Sequence, residues 1–512
     1  MLCSLTLYSS NPPKPTEDDV TDSNTDPIIG LLKTFSRFGN SRELFLSITG
    51  TISTICRQDT FSEDDDEDDD SIQGFSQPLI GSGFILIMVE ILSIVLNRIL
   101  KTSKNPISFF QTYSKTTIEL LKNLPSCSSP YQHLKLLIDQ SLSIYNSTPS
   151  LRLHIITFLL YSIYLVICDK KIISSGRTCF MKKYPRWNSS LERIDNLDHE
   201  KMQKIEIIDE QESKMICDLL GEFGLNFGFD QGFESGELEK GIEVTKELLV
   251  DYFGDEEELK KILRSSRFLI YAMNQFNQWE ETGSIDSSIH IDEEVLIEAL
   301  EDSDTNMIQA GIFIILSSSV PLESRNFKLI DCLATCSVTI FSAELRFLCF
   351  RTLVHLIDSL EFKTKFDSFL HLFNTSSKYI KLEKALVNLV KEKMAGSLGK
   401  ATEDQKFWWS KEWVLRVPGL IDCTDGINSQ NLELVIEKVN FAYFLLRSDF
   451  ETQTGIKNDE MKEMITRNLI IPASQFSENF QIDKEVDDED KSKVLMMLNS
   501  LRFSLSLINS IE

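Results

Sequence analysis

Four apolar stripes between Asn326 and Met394 restrict this chain to helices stacked on helices. Phe327, Ile330, Ala334, Val338 and Phe341 form the first. Leu345, Leu348, Cys349, Thr352, Leu353, Leu356 and Leu360 form the second, Phe366, Phe369, Leu370 and Phe373 the third, and Leu382, Ala385, Leu386, Leu389 and Val390 the fourth. Spacings of three and four place each set on one face of a helix, and a single such helix has nowhere to bury that face. Two helices in roughly 35 to 45 residues is the period of HEAT and armadillo repeats, where each pair stacks on the next. The pattern predicts an all-α chain, an irregular HEAT/armadillo-like α-solenoid of stacked helical pairs. Sequence identity between the units is low, so an irregular helical bundle is the alternative.

Composition narrows the function. The 512 residues are 42% hydrophobic with only 21 Gly and 13 Pro, too little turn chemistry for an all-β protein. A formal charge of -26 opposes a nucleic-acid surface, which needs clustered cations, and favours protein partners. MLCSLTLYSS has no basic n-region, so no signal peptide is expected. Phe84 to Leu96 and Ile155 to Cys168 are apolar but shorter than the ~18 residues of a spanning helix, and read as buried core helices. The ten cysteines include no Cys-x-x-Cys pair, which fits a reduced compartment, cytoplasmic and also nuclear.

Along the chain, residues 1–26 read as a disordered arm rich in Pro, Ser, Thr and Asp. Residues 27–171 read as N-terminal helical repeats, opening with a hairpin broken at Gly39-Asn40. They are interrupted at 59–76 by a loop holding Glu63 to Asp70, an unbroken acidic run that stays solvated. Residues 172–241 read as a basic loop, an acidic helix and a Gly/Phe-rich connector. Lys170, Lys171, Arg177, Lys182, Lys183 and Arg186 gather there with Tyr184 and Trp187, suited to a surface loop or an acidic partner. The glycines from Gly221 to Gly241 match no phosphate-binding pattern. Residues 242–512 read as C-terminal HEAT-like repeats that bind a partner, with Asp292 as a helix cap.

Catalytic spacing is missing: there is no Gly-x-Ser-x-Gly, HExxH or Walker lysine, and neither a cofactor nor a metal is implied. Cys332, Cys336, Cys349 and His355 can be drawn as a zinc set, but Cys349 already belongs to a core stripe. Phe407, Trp408, Trp409 and Trp413 suit either an interface anchor or a satellite core. The segment Asn428 to Pro472 reads as two helices joined by a polar turn. Leu432, Val435, Ile436, Val439, Ala442, Tyr443 and Leu446 form the first stripe, and the second helix runs from Asp459 to Leu469 and stops at Pro472.

Three blocks resemble the family that contains glomulin, a plant lateral-root regulator and the fungal Yap-binding proteins. They are FGNSRELFL at Phe38 to Leu46, the helices from Ala343 to Met394 with FLHLFNTSS at Phe369 to Ser377, and NFAYFLLRSDFETQTGI followed by a helix and LIIP. The resemblance implies a non-enzymatic HEAT-like adaptor. In the glomulin branch the C-terminal repeats bind the RING-box subunit of cullin-RING ubiquitin ligases and block recruitment of the conjugating enzyme. In the fungal branch, members support an AP-1-like transcription factor in oxidative stress and some act at kinetochores. The acidic run and short N-terminus depart from the glomulin layout, whereas the C-terminal match leans toward it. The partner-facing residues implied in the matching turn are Arg447, Asp449, Thr454, Gly455 and Lys457.

Overall fold

A computed structural model of the protein describes residues 34, 36–37, 39–58, 82–122, 129–167, 175–201, 210–227, 256–283, 293–302, 304–317, 327–376, 379–398, 403–410, 413, 420–423, 426–449, 454, 456–480 and 488–510. Among these residues the regular structure is helical, with no strand. The chain divides into two compact units, Met1–Ser319 and Val320–Glu512. The acidic run at 63–70, the cap expected at Asp292 and the glycines from 228 to 241 lie outside the described residues.

The first unit begins with α1 (Ser41–Gln58), α2 (Ser82–Leu100), α3 (Pro106–Lys122), α4 (Pro130–Ser147) and α5 (Arg152–Ile167). The break at Gly39-Asn40 is real: Asn40 Oδ1 accepts from the Arg42 N–H at 3.2 Å, capping α1. Arg98 of α2 pins that entry by donating to the carbonyls of Ser36 and Gly39 at 2.6 and 2.8 Å. The helices pack on near neighbours in the chain, α1 on α2 and α3, α2 on α3 and α4, and α3 and α4 on α5. Phe45, Ile48 and Ile52 of α1 and Leu92, Val95 and Leu96 of α2, two helices that pack together, are all buried. By length and composition Pro149–Ile167 could cross a membrane, but two thirds of it is buried inside the protein, 67%.

Downstream come α6 (Ser175–Lys183), α7 (Asn188–Lys201), α8 (Glu210–Phe227), α9 (Glu256–Thr282), α10 (Glu293–Glu301) and α11 (Thr305–Ser317). Two expectations are corrected here. The basic stretch is a helix docked on α11 rather than a loop. Lys183 Nζ donates to the Leu316 carbonyl at 2.6 Å, Lys182 sits 4.6 Å over the Trp279 ring, and the Arg177 N–H donates to Gln309 Oε1 at 2.9 Å. Two of these cations, Lys182 and Lys183, and the backbone of a third residue, Arg177, therefore hold the helix in place. The glycine-rich connector also starts later than its composition suggests, because α8 runs through Gly221 and Gly224. A Cβ on Gly221 would lie 2.6 Å from Asn277 Nδ2 of α9, and that amide donates to the Cys217 carbonyl. Glycine is there to let two helices approach, a purpose that outweighs its modest helix propensity.

In the second unit the four stripes become α12 (Lys328–Thr339), α13 (Ala343–Ser359), α14 (Phe362–Ser376) and α15 (Ile380–Ser397). Most of their apolar positions are buried, Phe327, Val338, Leu370 and Ala385 are half-buried, and one is exposed. Phe341 is 75% exposed, because α12 ends before it and the chain turns there. Ser342 restarts the helix as N-cap of α13, accepting from the Leu345 N–H. Neighbour-on-neighbour stacking of α12 with α13 and α14, and of α14 with α15, is the helical-repeat arrangement that the spacing predicts.

Candidate functional site

The aromatic knot is core. Trp408, Trp409 and Trp413 are all buried, beside the short helix α16 (Glu403–Trp408). Trp413 stacks on Trp408 at 4.9 Å and meets Phe366 and Phe369 edge-on. Two of the three indole N–H groups donate to backbone, Trp409 to the Met394 carbonyl at 3.1 Å and Trp413 to the Phe407 carbonyl at 3.0 Å. A buried tryptophan with its polar handle tied down is a packing element, and these residues form a satellite core against α14 and α15.

Past the knot the chain forms α17 (Leu432–Ser448), α18 (Asp459–Ile465), a π-helical turn (Thr466–Ile470), α19 (Ile471–Asn479) and α20 (Asp488–Asn509). The stripe expected on α17 is there: Leu432, Val435, Ile436, Val439 and Ala442 are buried, and Tyr443 and Leu446 half-buried. Leu434, Lys438, Phe441 and Leu445 are buried as well, because α15 and α20 both pack on α17. Two ion pairs tie α15 to α17. Lys384 Nζ lies 2.7 Å from Glu433 Oε2, and that contact holds the Glu433 carboxyl below its ordinary range. The other is the buried pair Lys438–Glu383, also at 2.7 Å. Lys438 donates a further bond to the Asp422 carbonyl at 2.8 Å.

Pro472 does not end the second helix, contrary to the expectation. The chain enters a π turn at Thr466–Ile470 and continues as α19, with proline at its first positions. The Ile471 N–H bonds the Thr466 carbonyl, five residues back. Proline has no N–H for the Asn468 carbonyl four residues before it, and the Cys423 N–H donates to that carbonyl instead, at 3.1 Å. A tertiary bond therefore fills the place that proline empties, and residues 420–423 are stitched to both α17 and the π turn.

The turn after α17 is built around its own polar groups. Asp449 closes the helix, its N–H on the Leu445 carbonyl at 2.9 Å. Its carboxylate Oδ2 accepts from the Thr454 hydroxyl at 2.6 Å and from the Thr454 N–H at 3.2 Å. Thr454 Oγ1 in turn accepts from the N–H of Ile456, whose side chain is fully buried. Asp449 and Thr454 are 2% and 1% exposed. The expectation that they face outward is corrected: a carboxylate and a hydroxyl that satisfy buried backbone donors fix the shape of the turn. Arg447 is exposed and donates to the Tyr443 hydroxyl at 3.0 Å. Lys457 is half-buried, and Gly455 lies outside the described residues.

The sequence reading missed α20. Leu498, Leu501, Leu505 and Ile508 bury its inner face at helical spacing, and Ser504 Oγ donates to Asn440 Oδ1 of α17 at 2.8 Å. Three large apolar side chains stand among the polar residues of its exposed surface. Leu495, Met496 and Phe503 are 47%, 67% and 63% exposed. The signal was available as more apolar residues than one buried stripe can use. Among the described residues no group of three or more His, Cys, Asp and Glu is placed to hold a metal ion.

Comparison with known proteins finds a family model that matches part of the chain. That model, described as the YAP/Alf4/glomulin family, matches residues 5–165 and supports the resemblance to that family, the second and third sequence blocks lying outside the match. The FGNSRELFL block falls inside the matched residues. No curated protein matches the chain.

Proposed function

We propose that this protein is a non-enzymatic adaptor whose C-terminal helices bind the RING-box subunit of a cullin-RING ubiquitin ligase. Bound there, it inhibits ubiquitylation by covering the face that recruits the conjugating enzyme. The observation that carries the reading is the exposed strip Leu495, Met496 and Phe503 on α20, packed on the helix α17 that bears the glomulin-like segment. Large apolar side chains left in solvent on a helix supply the anchors that protein interfaces use. The locked turn beside α17 offers Arg447 and Lys457 as polar contacts, and Asp449 and Thr454 hold its shape.

Reconstituted ubiquitylation tests it. Saturating protein is expected to suppress chain formation by a cullin-RING ligase, and M496E/F503E is expected to relieve that suppression with an unchanged melting temperature. Undiminished chain formation at saturation refutes the reading. The family match at residues 5–165 favours a second reading equally, since its description spans the YAP branch. There the protein is a cofactor of an AP-1-like transcription factor in the oxidative-stress response. Normal peroxide tolerance in a deletion strain would refute that one.

A further inference from the structure

The exposed surface of α20 has an order that the proposed function leaves unused. Ser492, Met496, Asn499, Phe503 and Ser506 follow one another at intervals of four, three, four and three residues, and all five are exposed. On a helix that spacing gathers them into one strip, the a and d seam along which two helices lie side by side. The buried stripe Leu498, Leu501, Leu505 and Ile508 is on the far side of the helix, which packs on α17 and α19. The seam is therefore left over from the fold's own packing.

Charge at the edges of the seam says what fits it. Lys493, next to Ser492, and Arg502, just before Phe503, occupy the flanking e and g positions on opposite edges, and both are exposed. Paired helices reach across to each other with salt bridges from those positions. The helix itself offers these cations nothing. From Lys491 to Ser510 there is no Asp or Glu, although 78 of the 512 residues are acidic. Arg502 Nη2 donates to the Ser477 carbonyl at 2.6 Å, which holds the guanidinium at the edge without neutralising it. The Glu433 carboxyl on α17 feels Lys384 first and Lys493 after it, and Lys384 is the cation paired with it, at 2.7 Å. A second copy of α20 would bring the same two cations and no carboxylate, whereas a helix with carboxylates at e and g answers both edges.

We propose that α20 receives an acidic amphipathic helix from its partner, apolar along its own seam and carrying Glu or Asp on both flanks. Met496 and Phe503, 67% and 63% exposed, are the anchors. Lys493 and Arg502 meet the partner's carboxylates, and Asn499, a polar side chain inside the seam, sets the register. The inference rests on the proposed function only in taking α20 as the helix that binds; it holds whichever protein supplies the acidic helix.

Fluorescence anisotropy with the full-length protein, at about 150 mM salt to screen its net charge, tests this. The probes are two labelled model peptides of about three heptads with Leu at every a and d position, one with Glu and the other with Lys at e and g. Wild type is expected to bind the Glu peptide about 5-fold or more tightly than the Lys peptide. M496E/F503E should abolish binding of the Glu peptide at an unchanged melting temperature. K493E/R502E should reverse the preference, and its gain for the Lys peptide cannot come from unfolding. Equal affinity of wild type for the two peptides, or an unchanged preference in K493E/R502E, overturns the inference. So does a dimer of the protein alone that M496E/F503E dissolves, which gives the strip to a second copy, or flotation with phosphatidylserine vesicles that the same variant loses, which gives it to a lipid surface. Failure of the proposed function looks different: the Glu peptide still binds, while saturating protein leaves ubiquitylation undiminished. Conversely, suppression relieved by M496E/F503E with no charge preference between the peptides overturns the inference alone.

Discussion

Lys438→Met is the sharpest test of how the C-terminal helices are held. The native ammonium is 6% exposed, pairs with Glu383 at 2.7 Å and donates to the Asp422 carbonyl at 2.8 Å. Methionine preserves the length and the apolar stem and removes only the charge and the donors. What remains is a carboxylate whose side chain is 13% exposed with its buried partner gone, together with a carbonyl that has lost a donor. Breaking one side of a buried pair costs about 3–5 kcal/mol, because the surviving charge keeps its desolvation without its partner. Glu383 retains some water, so the low end, about 3 kcal/mol, is expected here. For a unit of roughly 190 residues that lowers its melting midpoint by about 6–12 °C.

The control is the double variant K438M/E383L. Removing both charges relieves the stranded carboxylate, so the double variant should be more stable than K438M alone by at least about 1.5 kcal/mol. Calorimetry of the full-length protein reads both, and amide exchange at Cys423 reports whether the 420–423 turn loosens from the Asn468 carbonyl. A K438M midpoint within about 1 °C of wild type refutes the reasoning. So does a double variant less stable than the single one, which would mean that Lys438 acts through its stem contacts.

Three further outcomes follow from contacts elsewhere. Burial raises the Asp304 carboxyl to about 6, with Asp302 adding to the shift against backbone hydrogen bonds that oppose it. A carboxylate raised in the folded state stabilises fully below its unfolded pKa and loses that contribution as pH climbs through about 6. Asp304→Asn should therefore be more stable than wild type at pH 7.5, by up to roughly 3 kcal/mol, and nearly equal at pH 4, as read from paired melts. Thr454→Val removes the hydroxyl that links Asp449 to Ile456 and should cost about 1–2 kcal/mol, with exchange at the Ile456 amide accelerated at least about 10-fold. At Gly176 an added Cβ would lie 2.7 Å from the backbone oxygen of Gln309, so Gly176→Ala should separate α6 from α11 and cost about 1–3 kcal/mol in denaturant titration.

The sequence reveals what periodicity controls and conceals what a single contact decides. The helices from Lys328 to Ser397 are readable because each stripe repeats often enough to leave no other burial, and their bounds follow from Ser342 and short linkers. Phe341 has the right spacing for the first stripe and still lies outside, since spacing does not say where a helix stops. Gly221 and Pro472 mislead for a common reason. Each is a local helix breaker overridden by a partner distant in the sequence, Asn277 for the glycine and Cys423 for the carbonyl that the proline leaves open. The candidate turn misleads in a related way. Aspartate and threonine in a polar loop read as exposed, and only their hydrogen bonds to each other and to Ile456 show that they are its interior.

Two of these features, at Pro472 and in the turn after α17, fall in the same C-terminal stretch, and that has a consequence for recognition. Among the described residues from Leu420 to Phe480 the Lys438 hub, the Cys423–Asn468 bond and the Asp449–Thr454 lock tie the chain together, with α20 laid against α17. Such cross-links remove the freedom that a partner would otherwise have to freeze, so association there spends little conformational entropy. Exposed Leu495, Met496 and Phe503 thus sit on a helix docked on a pre-organised support. On the proposed reading, weakening that support with Lys438→Met should lower partner affinity while the exposed side chains stay unchanged. Equal affinity of K438M and wild type, at a temperature where both are folded, would show that α20 binds without help from the helix beneath it.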